Sequence, residues 1–87
     1  MLLILGADRA RQIFNLALVY SETGRHEEAI REYKRALPYA ERDDERLVHL
    51  MNFGNTCNQV GAFQDAQVSL TEALALADRK RPELMKQ

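Results

Sequence analysis

Apolar side chains recur at intervals of three and four residues along four stretches of the chain, and polar side chains fill the positions between them. This is the spacing of an α-helix that buries one face. No stretch alternates apolar and polar residues with the period of two that a half-buried strand requires. The pattern therefore predicts an all-α protein with helices over about residues 8–23, 26–38, 45–60 and 63–78.

Each predicted helix carries a stripe of apolar or small residues that should face the protein interior. Successive members of a stripe lie three or four residues apart, so they fall on one side of the helix. The predicted core residues are Ile13, Leu16, Ala17, Tyr20, Ala29, Ile30, Tyr33, Ala36, Leu37, Leu47, Leu50, Phe53, Gly54, Cys57, Ala66, Leu70, Ala73, Leu74 and Ala77.

Glycine and proline mark the predicted helix ends. Gly24 and Gly61 follow the first and third helices, where glycine commonly ends a helix. Pro38 lacks an amide hydrogen and disfavours helical geometry at the preceding residue, so it predicts a kink or an end in the second helix. The acidic run over residues 41–45 then predicts a turn, with one of its aspartates capping the third helix.

An offset of 37 residues relates the two halves of the chain. It joins the two glycines, and it also joins Ala29 to Ala66, Ala36 to Ala73, Leu37 to Leu74 and Asn15 to Asn52. Each half would be a helix–turn–helix unit that cannot cover its own apolar stripe. Such units stack to form one continuous core.

The residues of the two halves resemble the signature of the tetratricopeptide repeat family. The first half carries Ile13, Leu16, Ala17 and Tyr20, then Gly24, then Ala29, Tyr33 and Ala36; the second carries Leu50, Phe53, Gly54 and Cys57, then Gly61, then Ala66, Leu70 and Ala73. The resemblance implies antiparallel helical hairpins stacked as a short right-handed superhelix, an α-α solenoid. The 37-residue period resembles the longer-helix subtypes of the family rather than its usual 34-residue repeat.

The resemblance divides the chain into two hairpins and two flanking segments. Residues 1–7 form an apolar N-terminal extension, residues 8–43 the first hairpin and residues 44–78 the second. Residues 79–87 are expected to hold a basic turn and the start of an incomplete third-repeat helix. Because solenoids usually need about three repeats, we expect either a longer array or burial of the open ends against a second copy.

In this family the first helices of successive repeats line a concave groove that binds a partner, and the resemblance places a row of amide side chains there. An amide carries both donors and an acceptor, so it can pair with a peptide backbone whatever the ligand's side chains are. The alternative is that these asparagines only bond neighbouring helices to each other. Lysines that grip a C-terminal carboxylate in some family members are missing from this row. The candidate groove residues are Arg11, Phe14, Asn15, Leu18, Val48, Met51, Asn52, Asn55, Asn58 and Gln59.

Composition argues against most other functions. The net charge of −1 and the pI near 6.1 provide no field for nucleic acid or an anionic membrane. No run approaches the roughly 20 apolar residues of a membrane span. Cys57 is the only cysteine, which excludes an internal disulfide and suits a reducing cytoplasm. His26 and His49 lack a third ligand at metal spacing, so surface or interface histidines are expected rather than a metal site.

These observations predict a non-catalytic protein–protein interaction module. No nucleophile–base set or phosphate-binding loop is recognisable, so we expect neither an enzyme nor a cofactor. The expected partner is a protein or a peptide bound in the concave groove. The alternative is a structural segment that self-associates, as a homodimer or a larger homo-oligomer, through its uncapped ends.

Overall fold

Residues 6–84 fold into four α-helices and one short 3₁₀ turn. The computed structural model describes residues 6–84, and it describes the side chains of residues 8–81. The helices are Gly6–Glu22 (α1), His26–Ala36 (α2), Asp43–Gln59 (α3) and Phe63–Leu84 (α4). No strand occurs within this described part, which confirms the all-α prediction. Of the predicted N-terminal extension, residues 1–5 lie outside the described residues and residue 6 begins α1.

The helices pair into two hairpins that meet through their middle members. Helix α1 packs on α2, and α3 packs on α4, each pair joined by a turn of three residues. Helix α2 also packs on α3, and this contact joins the hairpins. Each helix buries apolar or small residues in its own hairpin, and α2 and α3 bury further residues against each other.

Both hairpin turns have the same backbone conformation. In each, the second residue after the helix is a glycine in the left-handed region, which other residues rarely adopt. The same hydrogen bond then closes each turn, from the amide after the glycine to a carbonyl of the preceding helix. Its partners are Arg25 N and Tyr20 O at 2.7 Å in the first turn and Ala62 N and Cys57 O at 2.8 Å in the second, with Gly24 at φ +81° and Gly61 at φ +80°.

Small side chains lie where the paired helices come closest. Ala17 and Ala29 are fully buried between α1 and α2, and Ala66 is nearly so between α3 and α4. A Cβ atom placed on Gly54 would lie 2.6 Å from Cγ of Leu70, so any side chain at position 54 would require Leu70 to move. The small residues of the repeat pattern therefore set the spacing within each hairpin.

Most of the predicted core is confirmed, but two leucines were assigned to the wrong surface. Leu16 is 42% exposed and Leu74 is 62% exposed. The residue that follows Leu16 by 37 positions, Phe53, is buried because the first hairpin covers it. No hairpin covers Leu16 or Leu74 in the described chain, which explains their exposure. The pattern instead missed several buried residues, namely Ala10, Phe14, Thr56, Ser69 and Leu76.

The second helix ends just before Pro38, which was predicted either to kink this helix or to end it. Helix α2 stops at Ala36, and the 3₁₀ turn Leu37–Tyr39 leads into Ala40, which has an extended backbone (φ −78°, ψ 108°). The side chain of Arg46 in α3 donates to the carbonyl of Leu37 at 2.8 Å and to the carboxylate of Glu72 in α4, also at 2.8 Å. The Leu37 carbonyl also accepts from the Ala40 amide at 3.1 Å, so Arg46 is its second donor and links the 3₁₀ turn to the second hairpin.

The prediction that an aspartate caps α3 was wrong. The N-cap residue is Arg42, and it makes no side-chain capping bond. The aspartates of the acidic run lie inside the first turn, where their charge favours the positive end of the helix dipole. The carboxylate of Asp44 accepts a hydrogen bond from the Glu45 amide at 2.9 Å, and this bond lowers the pKa of Asp44 below its ordinary value.

The prediction of a turn at the start of residues 79–87 was wrong. The basic residues Arg79, Lys80 and Arg81 were expected to form a turn, but α4 continues through them and through Pro82 to Leu84. Arginine and lysine are good helix formers, and no glycine separates them from the preceding turn. Pro82 was expected to begin a new helix. A proline removes one backbone hydrogen bond and disfavours helical geometry at the preceding residue, but α4 continues past it.

Candidate partner-binding groove

Helices α1 and α3 lie side by side, and contacts near both ends and in between hold them together. The contacts involve charge, an aromatic stack and hydroxyl groups, so they do not depend on one kind of interaction. They join Arg11 Nη2 to Glu45 Oε1 at 2.9 Å, the ring of Phe14 to that of His49 at 3.5 Å between centroids, and Ser21 Oγ to Thr56 Oγ1 at 3.0 Å.

The predicted groove residues divide into exposed and buried positions. Asn52 is half-buried, and Phe14 is only 3% exposed, so Phe14 belongs to the core and not to a groove surface. Phe14 contacts Tyr33 as well as His49, and both contacts use its ring. The remaining predicted positions are exposed, namely Arg11, Asn15, Leu18, Val48, Met51, Asn55, Asn58 and Gln59.

The amide side chains do not connect the two helices. Among the side chains that the structure describes, no hydrogen-bond partner is found for those of Asn15, Asn52, Asn55, Asn58 and Gln59. The backbone carbonyl of Asn52, by contrast, accepts a hydrogen bond from the Thr56 hydroxyl at 2.9 Å. Because the Ser21–Thr56 bond and the other two contacts join α1 to α3, the structure gives no support to the alternative in which asparagines bridge the helices.

One end of this surface is a shallow depression with balanced charge. Arg11, Asp44, Glu45, Val48 and His49 line it. The hydrogen bond to Glu45 raises the pKa of Arg11 above its ordinary value, so the guanidinium stays charged and paired. The depression therefore offers a ligand neither a free cation nor a free anion at Arg11 and Glu45.

The sequence predicted a surface or interface position for His49 rather than a metal ligand, and the structure places its ring between the two hairpins, against Phe14. The ring stacks on Phe14 with an angle of 12° between the planes and is half-buried. Burial lowers the pKa of His49, and the nearby Glu45 carboxylate partly opposes this. A signal was present in the sequence, because His49 lies one helical turn before the core residue Phe53 and so shares its face.

Two other kinds of site are not found among the described residues. Between residues 6 and 84, no helix combines the length and the apolar character that a membrane crossing requires. Within the same part of the chain, no group of three or more His, Cys, Asp and Glu side chains is placed to hold a metal ion. Cys57 is a free, buried cysteine, and burial raises the pKa of its thiol.

Comparison with known proteins identifies the family. A family model described as tetratricopeptide repeat matches residues 8–79, which include both hairpin turns. Such repeats generally mediate protein–protein interactions and are typically non-catalytic. No curated protein and no solved structure gives a significant match to the chain. Because the family model covers most of its length, the chain belongs to the tetratricopeptide repeat family.

Proposed function

We propose that this chain binds an extended segment of a partner protein, or a peptide, across the surface between α1 and α3. The observation that carries the proposal is the row of amide side chains on this surface, which have no hydrogen-bond partner in the described chain. Asn52 and Asn55 are its central members, one half-buried and one exposed. Free amides of this kind can donate to and accept from a peptide main chain.

The rest of the surface suits a ligand recognised by its backbone and by apolar contacts. Leu18 is 39% exposed and Val48 is 52% exposed, so both can contact an apolar side chain. Arg11 is already paired with Glu45 and lies 3.4 Å from a carboxylate oxygen of Asp8. A clamp for a terminal carboxylate would need free cations here. We therefore propose recognition of the main chain rather than of a charged terminus.

The proposal assigns no catalytic role to the chain and places it in the cytoplasm. The first part rests on the sequence, which shows no recognisable nucleophile–base set. The second rests on the single cysteine, which suits a reducing compartment. Neither a cofactor nor a nucleic acid is required by the proposed recognition.

The test is a double substitution of the central amides. Peptides are selected from a random library on the native chain, and the affinity of a selected peptide is then measured by calorimetry. Asn52→Ala with Asn55→Ala should weaken binding by about fivefold to 150-fold, because two hydrogen bonds contribute roughly 0.5–1.5 kcal/mol each. The matched control, Gln64→Ala with Gln67→Ala, removes two exposed amides from α4 and should leave the affinity unchanged.

Two results would refute groove recognition. One is full affinity in the Asn52 and Asn55 double variant while its circular dichroism spectrum matches the native one. The other is undiminished binding of a peptide whose backbone nitrogens are methylated, since methylation removes the main-chain donors that the amides would accept from.

A second candidate function is self-association, and exposed apolar side chains outside the groove favour it. Leu16, Val19 and Leu74 are 42%, 55% and 62% exposed. Leu16 and Val19 share one face of α1, and neighbouring exposed apolar residues commonly mark an interaction site. We propose that this chain contacts further copies of itself through such faces.

A further inference from the structure

The junction between the two hairpins is itself an interface between equivalent units. On the α3 side, His49 stacks on Phe14, and the ring centroid of Phe53 lies 5.8 Å from that of Tyr33. The Phe53 and Tyr33 planes are tilted by 52°, a favourable arrangement for an aromatic pair. The junction thus shows which side chains a hairpin of this chain uses to contact the hairpin before it and the hairpin after it.

Shifting the α3 contact residues back by 37 positions locates the equivalent face of the first hairpin. His49 corresponds to Gln12 and Phe53 corresponds to Leu16. Thr56, which bonds Ser21 across the junction, corresponds to Val19. We call this set, on α1, the leading face; all three members are exposed, and they are Gln12, Leu16 and Val19.

Shifting the contact residues of the first hairpin forward by 37 positions locates the matching face of the second. Phe14 corresponds to Met51, Tyr33 to Leu70 and Leu37 to Leu74. We call this set, on α3 and α4, the trailing face. Met51 is 47% exposed, Leu74 is 62% exposed and Leu70 is half-buried; the full set is Met51, Leu70 and Leu74.

From this correspondence we propose that the trailing face of one copy packs on the leading face of a second copy, head to tail. The proposal rests on the self-association candidate and specifies both its surfaces and its polarity. The pairing repeats the internal junction, with Leu70 of one copy opposite Leu16 of the next where Tyr33 meets Phe53 within the chain. Each copy keeps one free face of each kind, so the association is open-ended unless its rotation closes a ring.

Charge does not oppose this pairing. Among the side chains of residues 8–81, two ion pairs cross the internal junction, Arg11 with Glu45 at 2.9 Å and Lys34 with Asp65 at 3.5 Å. Shifted by 37 positions, the first places Val48 opposite Asp8, and the second places Thr71 opposite Glu28. Neither placement brings like charges together, which would disfavour contact. The interface between copies keeps the apolar contacts and loses the ion pairs, so it is weaker than the internal junction.

Other exposed apolar residues do not share this correspondence, and one provides a control. Val68 on α4 is 69% exposed, but its counterpart in the first hairpin is Arg31, an exposed charged residue. Val68 lines a depression with Lys34 and Leu37 at the internal junction, so it lies outside both the leading face and the trailing face. Val68→Glu makes the same chemical change as a substitution on either end face, at a comparable exposure.

The test uses two variants that each block one face. Leu16→Glu removes the leading face and Leu74→Glu removes the trailing face. Sedimentation velocity over about 10 μM to about 1 mM covers the affinities expected of a weak contact. The native chain and Val68→Glu should grow in average mass with concentration. Each face variant alone should remain a monomer, and an equimolar mixture of the two should form a dimer and nothing larger.

The mixture separates the possible outcomes. If each face variant still forms dimers alone, the contact joins like faces, which overturns the head-to-tail proposal and keeps self-association. If the native chain is a monomer throughout, both are overturned. If deletion of residues 2–5 is needed before the native faces associate, that N-terminal segment occupies the leading face and the proposal of a second copy is also overturned. Circular dichroism confirms that each variant is helical.

Discussion

Gly54→Ala tests the close contact between α3 and α4, because two effects of opposite sign act at this residue. Gly54 is buried in the middle of a helix, where alanine is intrinsically favoured by about 1 kcal/mol. The new Cβ would lie 2.6 Å from Cγ and 2.7 Å from Cδ2 of Leu70, distances at which a neighbour must move. Overpacking of this kind costs about 1–3 kcal/mol. We expect the contact to outweigh the helix propensity, with a net loss of about 1 kcal/mol in the free energy of unfolding.

The same reasoning predicts the opposite sign when Leu70 is truncated. In a Leu70→Ala background the Cβ added at position 54 meets no leucine side chain, so Gly54→Ala should stabilise the protein by about 1 kcal/mol. The double-mutant cycle should therefore give a coupling energy of about 1–3 kcal/mol between the two positions. Urea denaturation followed by far-ultraviolet circular dichroism measures all four proteins.

Two results would refute this account of the hairpin contact. If Gly54→Ala raises stability in the native background, Leu70 moves aside at little cost and the small residue is not required there. If the cycle shows no coupling, the loss arises elsewhere in the helix. An unchanged denaturant dependence across the series would show that the comparison concerns stability alone.

Two further substitutions test the junction between the hairpins. Phe53→Ala removes a side chain that is 7% exposed and contacts Tyr33, so it should cost about 3–5 kcal/mol; an unchanged melting temperature would contradict the assigned core face of α3. Burial lowers the pKa of His49, so the unfolded chain takes up a proton first as the pH falls, and stability should decline below about pH 6.5. His49→Gln should flatten that decline in thermal melts between about pH 7 and pH 5, while an identical pH profile would show that His49 does not contribute.

Much of the local structure could be read from the sequence because its causes are local. Apolar spacing indicated four helices, and the two glycines marked turns that share one hydrogen-bond pattern. Pro38 was expected to kink or end α2 and ends it. These outcomes depend on the backbone preferences of single residues, which act within one helical turn. Residues near Pro82 show where such local reasoning fails. Proline disfavours helix there, but the good helix formers before Pro82 continue α4 through it.

The candidate groove could be predicted in outline but not in detail. The repeat offset predicted a row of amide side chains along α1 and α3, and most of these side chains are exposed. Phe14 was assigned to the groove because of its place on α1, yet its ring is buried against Tyr33 and His49. The residues that connect α1 to α3, among them Glu45 and Thr56, carry no periodic signal. Their partners are distant in the chain.

The sequence by itself determined how many helices form, where the hairpins turn and that the two halves are equivalent. Only the tertiary structure decided which residues of each apolar stripe are buried by a neighbouring hairpin. Leu16 and Phe53 occupy equivalent positions, yet one is 42% exposed and the other 7%. The reason is physical: helix formation depends on neighbours within one turn, whereas burial depends on which unit packs against the face. In this chain the first hairpin packs against Phe53, and no hairpin of the described residues packs against Leu16.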